Sequence, residues 1–511
     1  MEKRVIVAFV ISMLILVGWS ALSSKMYPIK NKQVASETKS VGHAEQPDQI
    51  VAIKQVTPPA VAAKTEKLIK LPQGLFDISF AESSASVDNV VYHKYQDRVF
   101  LLKNGLGFLA GSMNFSKDSI SSDSISFVAS DPNLKFKKVF SIDNSNYIIG
   151  LRITIKNMSN QTQAVNIPLV LGVLDSTLDG VNAQYHEVMV AEKEKTIRPN
   201  KHKTAEFTDV KFIAMRDRYM CAIIEAVPNT TLRGFINRID AHQSEVGVML
   251  QADKLFPGEQ IERSYKIYLG PQDLRVLTQA NPEWSAVVYY GTFDFIAHVL
   301  LQAMEFLYKA VHNWGWVIVL LGLLIYVVLF PLTMKQMRSM KEMQKLQPKI
   351  EALRASLKDN PQKLNKEIME LYKTHKVNPF SGCLPMILQI PVFFALYQVL
   401  TRSIALKGAS FLWIKDLSEP DRLFTLTTAL PIIGKDINIL PILMAIGMYI
   451  QQKISTVAAS AEAAQQQKIM AIMLPILFGF MFYRMPAGLV LYWFVNSTLM
   501  LLYQIRISRS K

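Results

Sequence analysis

The sequence predicts an α-helical polytopic membrane protein with an all-β domain inserted between its first membrane span and the others. Three observations lead to this fold class. Of the 511 residues, 50% are hydrophobic and 19% are charged, and this charged share lies below the about 25% typical of soluble domains. Long apolar segments lie near the N-terminus and after residue 314, whereas short alternating runs occupy the region between them. Lys and Arg outnumber Asp and Glu by 56 to 41, which suggests an anionic partner, either a membrane surface or a nucleic acid.

Composition and motifs exclude several classes of protein. The high apolar content, with ordinary numbers of Gly (22) and Pro (23), excludes a disordered or fibrous chain. The two cysteines, Cys221 and Cys383, exclude a disulfide scaffold and a multi-cysteine metal cluster. The chain contains no zinc-protease, serine-hydrolase or P-loop motif. We therefore expect no metal, nucleotide or redox cofactor.

The first element is an N-terminal transmembrane anchor at residues 1–23. Residues 5–22 are nearly all apolar, and as a helix of about 1.5 Å per residue they span about 27 Å, close to the thickness of a hydrocarbon core. Lys3 and Arg4 precede the segment and favour a cytoplasmic N-terminus. A cleaved signal peptide is the alternative, because Ala21-Leu22-Ser23 is a tolerable cleavage site.

A flexible linker and an all-β domain follow this anchor. Residues 24–70 contain few large apolar groups, so little burial is available to offset the entropy of ordering the segment. Residues 71–288 contain short alternating runs, such as 147–155 and 164–174, punctuated by Asn, Asp, Gly and Ser. This pattern is typical of an antiparallel β-sandwich.

Two patterns in the β domain suggest chemistry, and each has a simpler interpretation. Gly105-x-Gly107-x-x-Ala110 loosely matches a dinucleotide-binding fingerprint, but the sequence that follows it favours a turn and not a helix. A second group of polar residues suggests either a sugar-binding cluster or scattered surface groups: Asp175, Asp179, His186 and Glu187.

An amphipathic helix at residues 289–313 leads from the β domain into the membrane. Its apolar residues recur with helical spacing at 293, 296, 297, 300, 301, 304, 307, 308 and 311. The opposite face carries Asp294, His298, Gln302, Glu305 and Lys309. Because the helix runs into an apolar segment, we expect it to lie at the outer membrane–water interface.

Five further spans are predicted in the core at residues 314–506. Their approximate bounds are 315–334, 379–400, 439–454, 469–484 and 486–505. Residues 423–433 are too short to span and are flanked by charges, so we expect a loop that dips into the interface. With the N-terminal anchor, the sequence therefore predicts six transmembrane spans.

Charge determines the expected orientation of these spans. Residues 335–378 carry 11 Lys or Arg against 5 acidic residues, whereas residues 401–437 carry 5 against 4. The positive-inside rule places 335–378 and the short basic tail at 507–511 in the cytoplasm, with both termini inside. Residues 335–378 are predicted to form a helical hairpin that turns at Asp359-Asn360-Pro361. A methionine row at Met337, Met340 and Met343 suggests an adaptable docking face, with hairpin packing or lipid contact as the alternative.

Three local patterns in the core are unusual in combination. They are Asn378-Pro379-x-x-Gly382-Cys383-Leu384-Pro385 with Gln389-Ile390-Pro391 downstream, Phe330-Pro331-Leu332-Thr333 with Leu346-Gln347-Pro348-Lys349 downstream, and Pro486-x-Gly488-Leu489-x-Leu491-Tyr492-Trp493-x-x-Asn496. Together they resemble the YidC-type membrane protein insertases of bacterial inner membranes. The resemblance is specific over 290–511 and looser over the first span and the β domain. It implies a five-helix insertase core, a periplasmic β-supersandwich and a cytoplasmic hairpin that receives nascent chains.

Physical reasoning supports an insertase. A charged group at mid-bilayer costs several kcal/mol, and a groove lined by polar groups and water lowers that cost. The expected groove residues are Gly322, Tyr326, Gln389, Tyr397, Tyr492, Trp493 and Asn496, and the hairpin surface that receives clients comprises Met337, Met340, Met343 and Glu367. For each polar group taken singly, a hydrogen bond between helices is the alternative.

The sequence departs from the family in its first core span. The resemblance implies an arginine five residues before the Pro-Leu-Thr motif and a threonine four residues earlier, and these positions are Tyr326 and Gly322. Glu367 matches the acidic partner of that arginine. Arg402 does not replace it, because it lies 13 residues after Gln389, about 20 Å along a helix. We expect Tyr326 to face the groove.

The resemblance also implies partners and a location. The expected partners are nascent membrane proteins, the Sec translocon, anionic phospholipids and, weakly because the basic tail is short, the ribosome, with no other nucleic acid. The expected location is the bacterial inner membrane. Two rival functions are a transporter and an envelope enzyme that acts on sugars. The spans after residue 314 contain no Asp, Glu or His, and no internal repeat is seen, which disfavours a transporter.

Overall fold

The protein was analysed as a computed structural model. The structure describes residues 67–95, 98–109, 113–143, 145–177, 180–228, 230–357, 360–375, 384–430, 434–455 and 461–509. The expected N-terminal anchor and nearly all of the expected linker lie outside these residues. The first described strand begins at Leu68, three residues before the expected start of the β domain.

The β domain consists of two antiparallel sheets. The smaller sheet has the strand order β1-β2-β3-β4, with strands β1 (Leu68–Pro72), β2 (Phe76–Ala81), β3 (Ser86–Tyr92) and β4 (Arg98–Leu106). The larger sheet has twelve strands in the order β5-β6-β7-β8-β16-β13-β12-β14-β15-β9, and β10 pairs with β11 and β12 beside this path. Its strands are β5 (Ser116–Ile120), β6 (Ser124–Ser130), β7 (Leu134–Asp143), β8 (Ile148–Asn157), β9 (Gln163–Asp175), β10 (Glu187–Glu192), β11 (Thr196–Ile197), β12 (Ala205–Arg216), β13 (Met220–Val227), β14 (Leu232–Arg238), β15 (Gln243–Leu255) and β16 (Gln260–Pro271).

A buried lysine joins the two sheets. Strand β7 alternates between inward and outward residues, and this alternation turns Lys138 inward between Phe136 and Phe140. The Lys138 amine donates hydrogen bonds to the carbonyl oxygens of Ser84 (3.0 Å), Ala85 (3.1 Å) and Gly107 (2.9 Å). Three acceptors match the three N–H groups of an ammonium, while burial lowers the pKa of the Lys138 amine well below its usual range. A turn lies at Gly107, and the described residues that follow it up to Phe115 contain no helix, in agreement with the expected turn, whereas Ala110 of the motif lies outside the described residues.

The helices follow the β domain in the chain. Within the described residues they are α1 (Leu274–Ala280), α2 (Asp294–Val311), α3 (Trp314–Ser356), α4 (Pro361–Thr374), α5 (Leu384–Arg402), α6 (Ile439–Ser455), α7 (Ala461–Phe482) and α8 (Ala487–Arg509). Two of them, over Trp314–Lys335 and Ala487–Arg506, are long and apolar enough to cross a membrane. Two shorter apolar helices cover Ile439–Ile454 and Ala471–Phe482.

The first core span and the first arm of the hairpin form one helix. Helix α3 has 43 residues and continues through Pro331 and Pro348. At about 1.5 Å per residue it is about 64 Å long, roughly twice the thickness of a hydrocarbon core. The hairpin turns where the sequence predicts, because the Asn360 side chain accepts a hydrogen bond from the backbone N–H of Lys363 and Pro361 begins α4.

The amphipathic helix α2 packs its predicted apolar stripe against the other helices. Ala297, Leu300, Leu301 and Met304 are buried in a core shared with α3 and α5. A different face points outward and carries two large exposed side chains, Phe295 (80% exposed) and Phe306 (73%). The helix is therefore apolar on two faces, one against protein and one against its surroundings.

Residues 423–433 contain a strand, and no helix is described there. Strands β17 (Phe424–Leu430) and β18 (Gly434–Ile437) form an antiparallel hairpin. This agrees with the expectation that the segment is not a transmembrane helix.

Candidate functional site

Three of the predicted groove residues meet at one point between three helices. The Gln389 side chain of α5 donates a hydrogen bond from Nε2 to the hydroxyl of Tyr492 on α8. Tyr492 is fully buried, so this contact satisfies a phenol that has no access to water. Gly322 of α3 adjoins the pair, because a Cβ there would lie 3.6 Å from Cδ2 of Tyr492 and 3.3 Å from Cγ1 of Val495. Glycine thus lets α3 approach α8 closely.

An aromatic row extends from this point between α3 and α8. Tyr326 lies four residues after Gly322 and therefore on the same face of α3. Its ring centroid lies 5.9 Å from that of Phe330, which lies 5.2 Å from that of Tyr503 on α8. Tyr326 is only half-buried. This position, at which the family resemblance implies an arginine, is therefore filled by a neutral ring at the contact between the two helices.

Trp493 belongs to a second aromatic cluster. Consecutive residues of a helix point about 100° apart, so Trp493 faces a different direction from Tyr492. Its ring centroid lies 5.4 Å from Phe393 of α5 and 5.7 Å and 5.3 Å from Phe478 and Phe482 of α7. These rings pack α5, α7 and α8 together.

The structure separates Tyr397 from the other predicted groove residues. Tyr397 lies eight residues after Gln389, about 12 Å along α5. Its phenol lies close to that of Tyr185 in the β domain. Asn496, in contrast, lies four residues after Tyr492 on the same face of α8 and is half-buried.

The predicted receiving surface lies on the hairpin of α3 and α4. Met337, Met340 and Met343 fall within helix α3, but their side chains lie outside the described part of the structure. Glu367 on α4 is half-buried and borders a cleft of about 690 Å³ together with Lys349 and Glu370. The two arms pack through a small apolar core of Leu346, Ile350, Ile368, Leu371 and Tyr372.

Sequence reasoning missed a buried charged junction between the β domain and the helices. Arg402, at the end of α5, forms an ion pair with Glu187 of β10 (3.6 Å) and donates a hydrogen bond to the carbonyl oxygen of Tyr289 (3.1 Å). Arg216 of β12 also forms an ion pair with Glu187. Burial lowers the pKa of the Arg402 guanidinium and Arg216 lowers it further, whereas Glu187 raises it. Arg402 is thus held at the β domain and does not replace the missing arginine of α3.

The carboxylates of the suggested sugar cluster, Glu187 and Asp175, are engaged in structural contacts. Glu187 is occupied by the two arginines, and the Asp175 carboxylate accepts hydrogen bonds from Thr177 (2.6 Å) and Gln243 (2.7 Å). His186 is buried, and Asp179 lies outside the described residues. Across the residues that the structure covers, no group of three or more His, Cys, Asp or Glu side chains is arranged to hold a metal ion.

A second groove, which is mostly apolar, runs between α6 and α7 with a volume of about 900 Å³. Its walls include Ile446 and Tyr449 of α6 and Ile472 and Ile476 of α7, and Arg484 lies at one end. Tyr449, a polar group within a predicted span, therefore faces this groove and does not adjoin the Gln389–Tyr492 contact.

Comparisons with known proteins agree with the residue patterns. Two family models match, the YidC periplasmic domain over residues 112–303 and the 60Kd inner membrane protein over residues 306–511. The membrane protein insertase YidC of Geotalea daltonii is 32% identical over 548 residues, with 100% of this chain and 99% of the relative covered. The relative of the same name from Geobacter metallireducens is 31% identical over 560 residues, with the same coverage.

Solved structures of YidC proteins also match most of the chain. The crystal structure of an active YidC insertase with its first transmembrane domain resolved is 20% identical, with a TM-score of 0.40, and covers 86% of this chain and 93% of that one. The two full-length relatives exceed 30% identity and cover the whole chain. The chain therefore belongs to the YidC family of membrane protein insertases, which are inner-membrane proteins with a periplasmic domain and are not enzymes.

Proposed function

We propose that the insertase moves polar flanks of client proteins along a groove between α3, α5 and α8, whose closed end is the Gln389–Tyr492 contact. The single observation that carries this proposal is the hydrogen bond between these two side chains, beside Gly322 on the third helix. Each of the three helices contributes one predicted groove residue to this point.

The chemistry of the contact suits a transient partner. Gln389 and Tyr492 are neutral, so they offer donors and acceptors without the desolvation cost of a buried charge. A client's polar group that reaches this point exchanges one neutral hydrogen bond for another. Hydrogen bonds of this kind between membrane helices contribute about 0.6 kcal/mol on average, so the exchange is inexpensive.

The apolar part of a client requires a different surface. Exposed apolar side chains project from α5 at Ile390 and Phe394 and from α7 at Ile472, Ile476 and Phe480. We propose that a client's transmembrane segment packs against these residues while its polar flank occupies the groove. The cytoplasmic hairpin would receive the client first, through Met337, Met340, Met343 and Glu367.

We propose a topology of six spans with both termini in the cytoplasm. Its support is the distribution of charge, since residues 335–378 carry the largest basic excess among the predicted connections. The domain organisation that we propose with it is anchor 1–23, linker 24–67, periplasmic β domain 68–288, interfacial helix 289–313, core 314–506 with hairpin 335–378, and tail 507–511.

Three partners in addition to nascent membrane proteins belong to the same proposal. The family resemblance suggests the Sec translocon, and the basic cytoplasmic segments suit anionic phospholipids. We propose that the ribosome binds weakly and in a salt-sensitive way, through the basic residues Arg506, Arg509 and Lys511. Tail-dependent co-sedimentation with ribosomes that resists salt would contradict this expectation.

The groove is tested by removing its polarity without leaving an unpaired buried group. The double variant Gln389→Leu, Tyr492→Phe deletes both partners of the hydrogen bond, a change that is close to neutral for folding. In proteoliposomes, we expect it to insert a client with a charged translocated flank several-fold less well than the parent protein. A client with a short uncharged flank should be inserted equally well by both.

A matched variant controls for the loss of a glutamine. Gln302 lies on the exposed face of α2, outside the proposed groove, so Gln302→Leu should insert both clients like the parent protein. Protease protection of the translocated flank measures insertion in each case. Equal insertion of the charged client by the double variant and the parent would contradict the groove.

A further inference from the structure

A single arginine of the β domain contacts the outer end of α5, which carries Gln389, and the segment that caps the beginning of α8, which carries Tyr492. Arg218 lies in the turn between β12 and β13 and is 9% exposed. Its Nε donates to the carbonyl oxygen of Thr401 at 2.7 Å, in the last turn of α5. Its two terminal nitrogens donate to the carbonyl oxygen of Ser418 and to a carboxylate oxygen of Glu419, both at 2.9 Å.

The contact with Thr401 caps α5. The last carbonyl groups of a helix lack partners within the helix and carry partial negative charge, so a cation there is favourable. Arg218 supplies both the charge and a donor. Because it belongs to the β domain, the end of α5 is fixed to a different structural unit and not only to its own loop.

The segment at Ser418 and Glu419 caps the beginning of α8. The backbone N–H of Ala487 donates to the carbonyl oxygen of Glu419 at 2.7 Å, and that of Gly488 donates to the carbonyl oxygen of Leu417 at 2.9 Å. A Cβ at position 488 would lie 3.1 Å from that Leu417 oxygen, so glycine permits the close approach. Arg218 therefore holds the segment that in turn holds α8.

The turn that carries Arg218 is itself rigid. The Asp217 carboxylate accepts the backbone N–H groups of Tyr219 and Met220, each at 2.6 Å. The Gln272 side chain donates to the carbonyl oxygens of Asp217 (2.7 Å) and Met220 (3.0 Å). A guanidinium mounted on such a turn has little freedom, so its three acceptors are held at fixed separations.

We propose that Arg218 is a positioning residue that sets the separation of α5 and α8. The Gln389–Tyr492 contact joins the same two helices, 12 residues or about 18 Å further along α5 from Thr401. A shift at the outer ends therefore changes the width of the space between the helices. Only the effect on insertion depends on the proposed groove; the effect on helix separation does not.

Distance measurement between the helices tests the proposal directly. Spin labels are placed on two exposed positions, Phe394 of α5 and Leu502 of α8, in the full chain with Cys221→Ala and Cys383→Ser, reconstituted in nanodiscs. Pulsed electron paramagnetic resonance then gives the distribution of distances between the labels. We expect Arg218→Gln to broaden this distribution and to shift its mean, because glutamine cannot reach all three acceptors.

Control variants separate positioning from a general effect of charge. Arg233 is exposed on β14 and lies away from the junction, so Arg233→Gln should leave the distribution unchanged. Arg218→Lys keeps the charge and reaches fewer acceptors, so it should restore the distances partly. If Arg218→Gln does not accumulate in the membrane, Glu419→Gln, which weakens one of the three contacts, should produce a smaller broadening.

Insertion of the charged-flank and uncharged-flank clients completes the test. Broader distances with a selective loss for the charged-flank client support both the positioning role and the groove. Broader distances with unchanged insertion support the positioning role and contradict the groove. An unchanged distance distribution for Arg218→Gln and Glu419→Gln would overturn the proposal, whatever happens to insertion.

Discussion

The junction between the β domain and the helices stabilises polar groups differently from the centre of the helix bundle. At the junction, Arg218 and Arg402 are ionised and each makes several hydrogen bonds or ion pairs. At the centre, Gln389 and Tyr492 are neutral and share one hydrogen bond. Residues 315–334 of α3, the predicted span, contain no charged residue.

This difference follows from the energetics of buried groups. A buried guanidinium is tolerated only with a nearly complete set of partners, so it holds its neighbours in one arrangement. A neutral amide or phenol has weaker preferences and exchanges partners at lower cost. Charge is thus found where two structural units must keep a fixed relation, and neutral polarity is found where a client is proposed to pass.

Removing the buried amine of Lys138 from the β domain should produce the largest effect, which is a loss of stability. In Lys138→Met, the carbonyl oxygens of Ser84, Ala85 and Gly107 lose their donor and the link between the two sheets is lost. We expect the free energy of unfolding of the β domain to fall by about 3 kcal/mol, in the range for unsatisfied buried groups. Thermal unfolding of the full chain in detergent, followed by circular dichroism, measures the loss.

The adjacent lysine provides the control. Lys137 points outward on the same strand and pairs with Asp118 at the surface, 3.0 Å away. Exposed ion pairs contribute about 0.2 to 1 kcal/mol, so Lys137→Met should change stability by less than 1 kcal/mol. Similar losses for both variants would mean that the buried charge is not the important feature.

Introducing a charge into the centre of the helix bundle should have the next largest effect, and this effect is a gain in client insertion. Tyr326 is half-buried beside the proposed groove, so Tyr326→Arg would supply the charge that the family carries there. We expect insertion of a client with an acidic translocated flank to rise about threefold, equivalent to about 0.7 kcal/mol. A reconstituted insertion assay with acidic and neutral flanks measures the gain.

A control variant tests whether the gain depends on the face of α3 that carries the new arginine. Val328 lies two residues further along α3 and is exposed on another face. Val328→Arg introduces the same charge there and should give no gain for the acidic client. Equal gains from Tyr326→Arg and Val328→Arg would show that overall charge, and not the groove, attracts the client.

The sequence predicts the centre of the molecule better than the junction. The polarity of Gln389 and Tyr492 within the spans and the family resemblance at Gly322 predict these groove residues, and the structure brings the three together. Likewise, Asn360 and Pro361 predict the hairpin turn because capping is a local interaction. The signal for the turn lies within a few residues of it, whereas Gln389 and Tyr492 are marked singly by their polarity and are 103 residues apart.

The junction has no such local signal. Arg218 and the carbonyl oxygen of Thr401 are separated by 183 residues, and no periodicity or motif relates them. Lys138 also looks ordinary in sequence, because Lys137 and Lys138 are adjacent and either one can face outward. Strand register decides which is buried, and register depends on pairing with β6 and β8. Tertiary contacts therefore determine what the sequence could not predict.

A half-buried carboxylate of the β domain should show the smallest effect. Glu225 accepts hydrogen bonds from Asn281 and Trp284, both at 2.9 Å, and burial nevertheless raises its pKa. Because the folded protein then holds the proton more tightly than the unfolded chain, stability falls as the pH rises above about 4.3, the ordinary pKa of glutamate.

The variant Glu225→Gln tests this pH dependence, because glutamine keeps an acceptor for both donors and removes the loss of stability. After allowance for solvent screening, we expect the variant to be about 0.5 kcal/mol more stable than the parent at pH 7 and equal to it at pH 4, by thermal unfolding. A variant less stable than the parent at pH 7 would show that the ionised form stabilises this site, as it does at the junction.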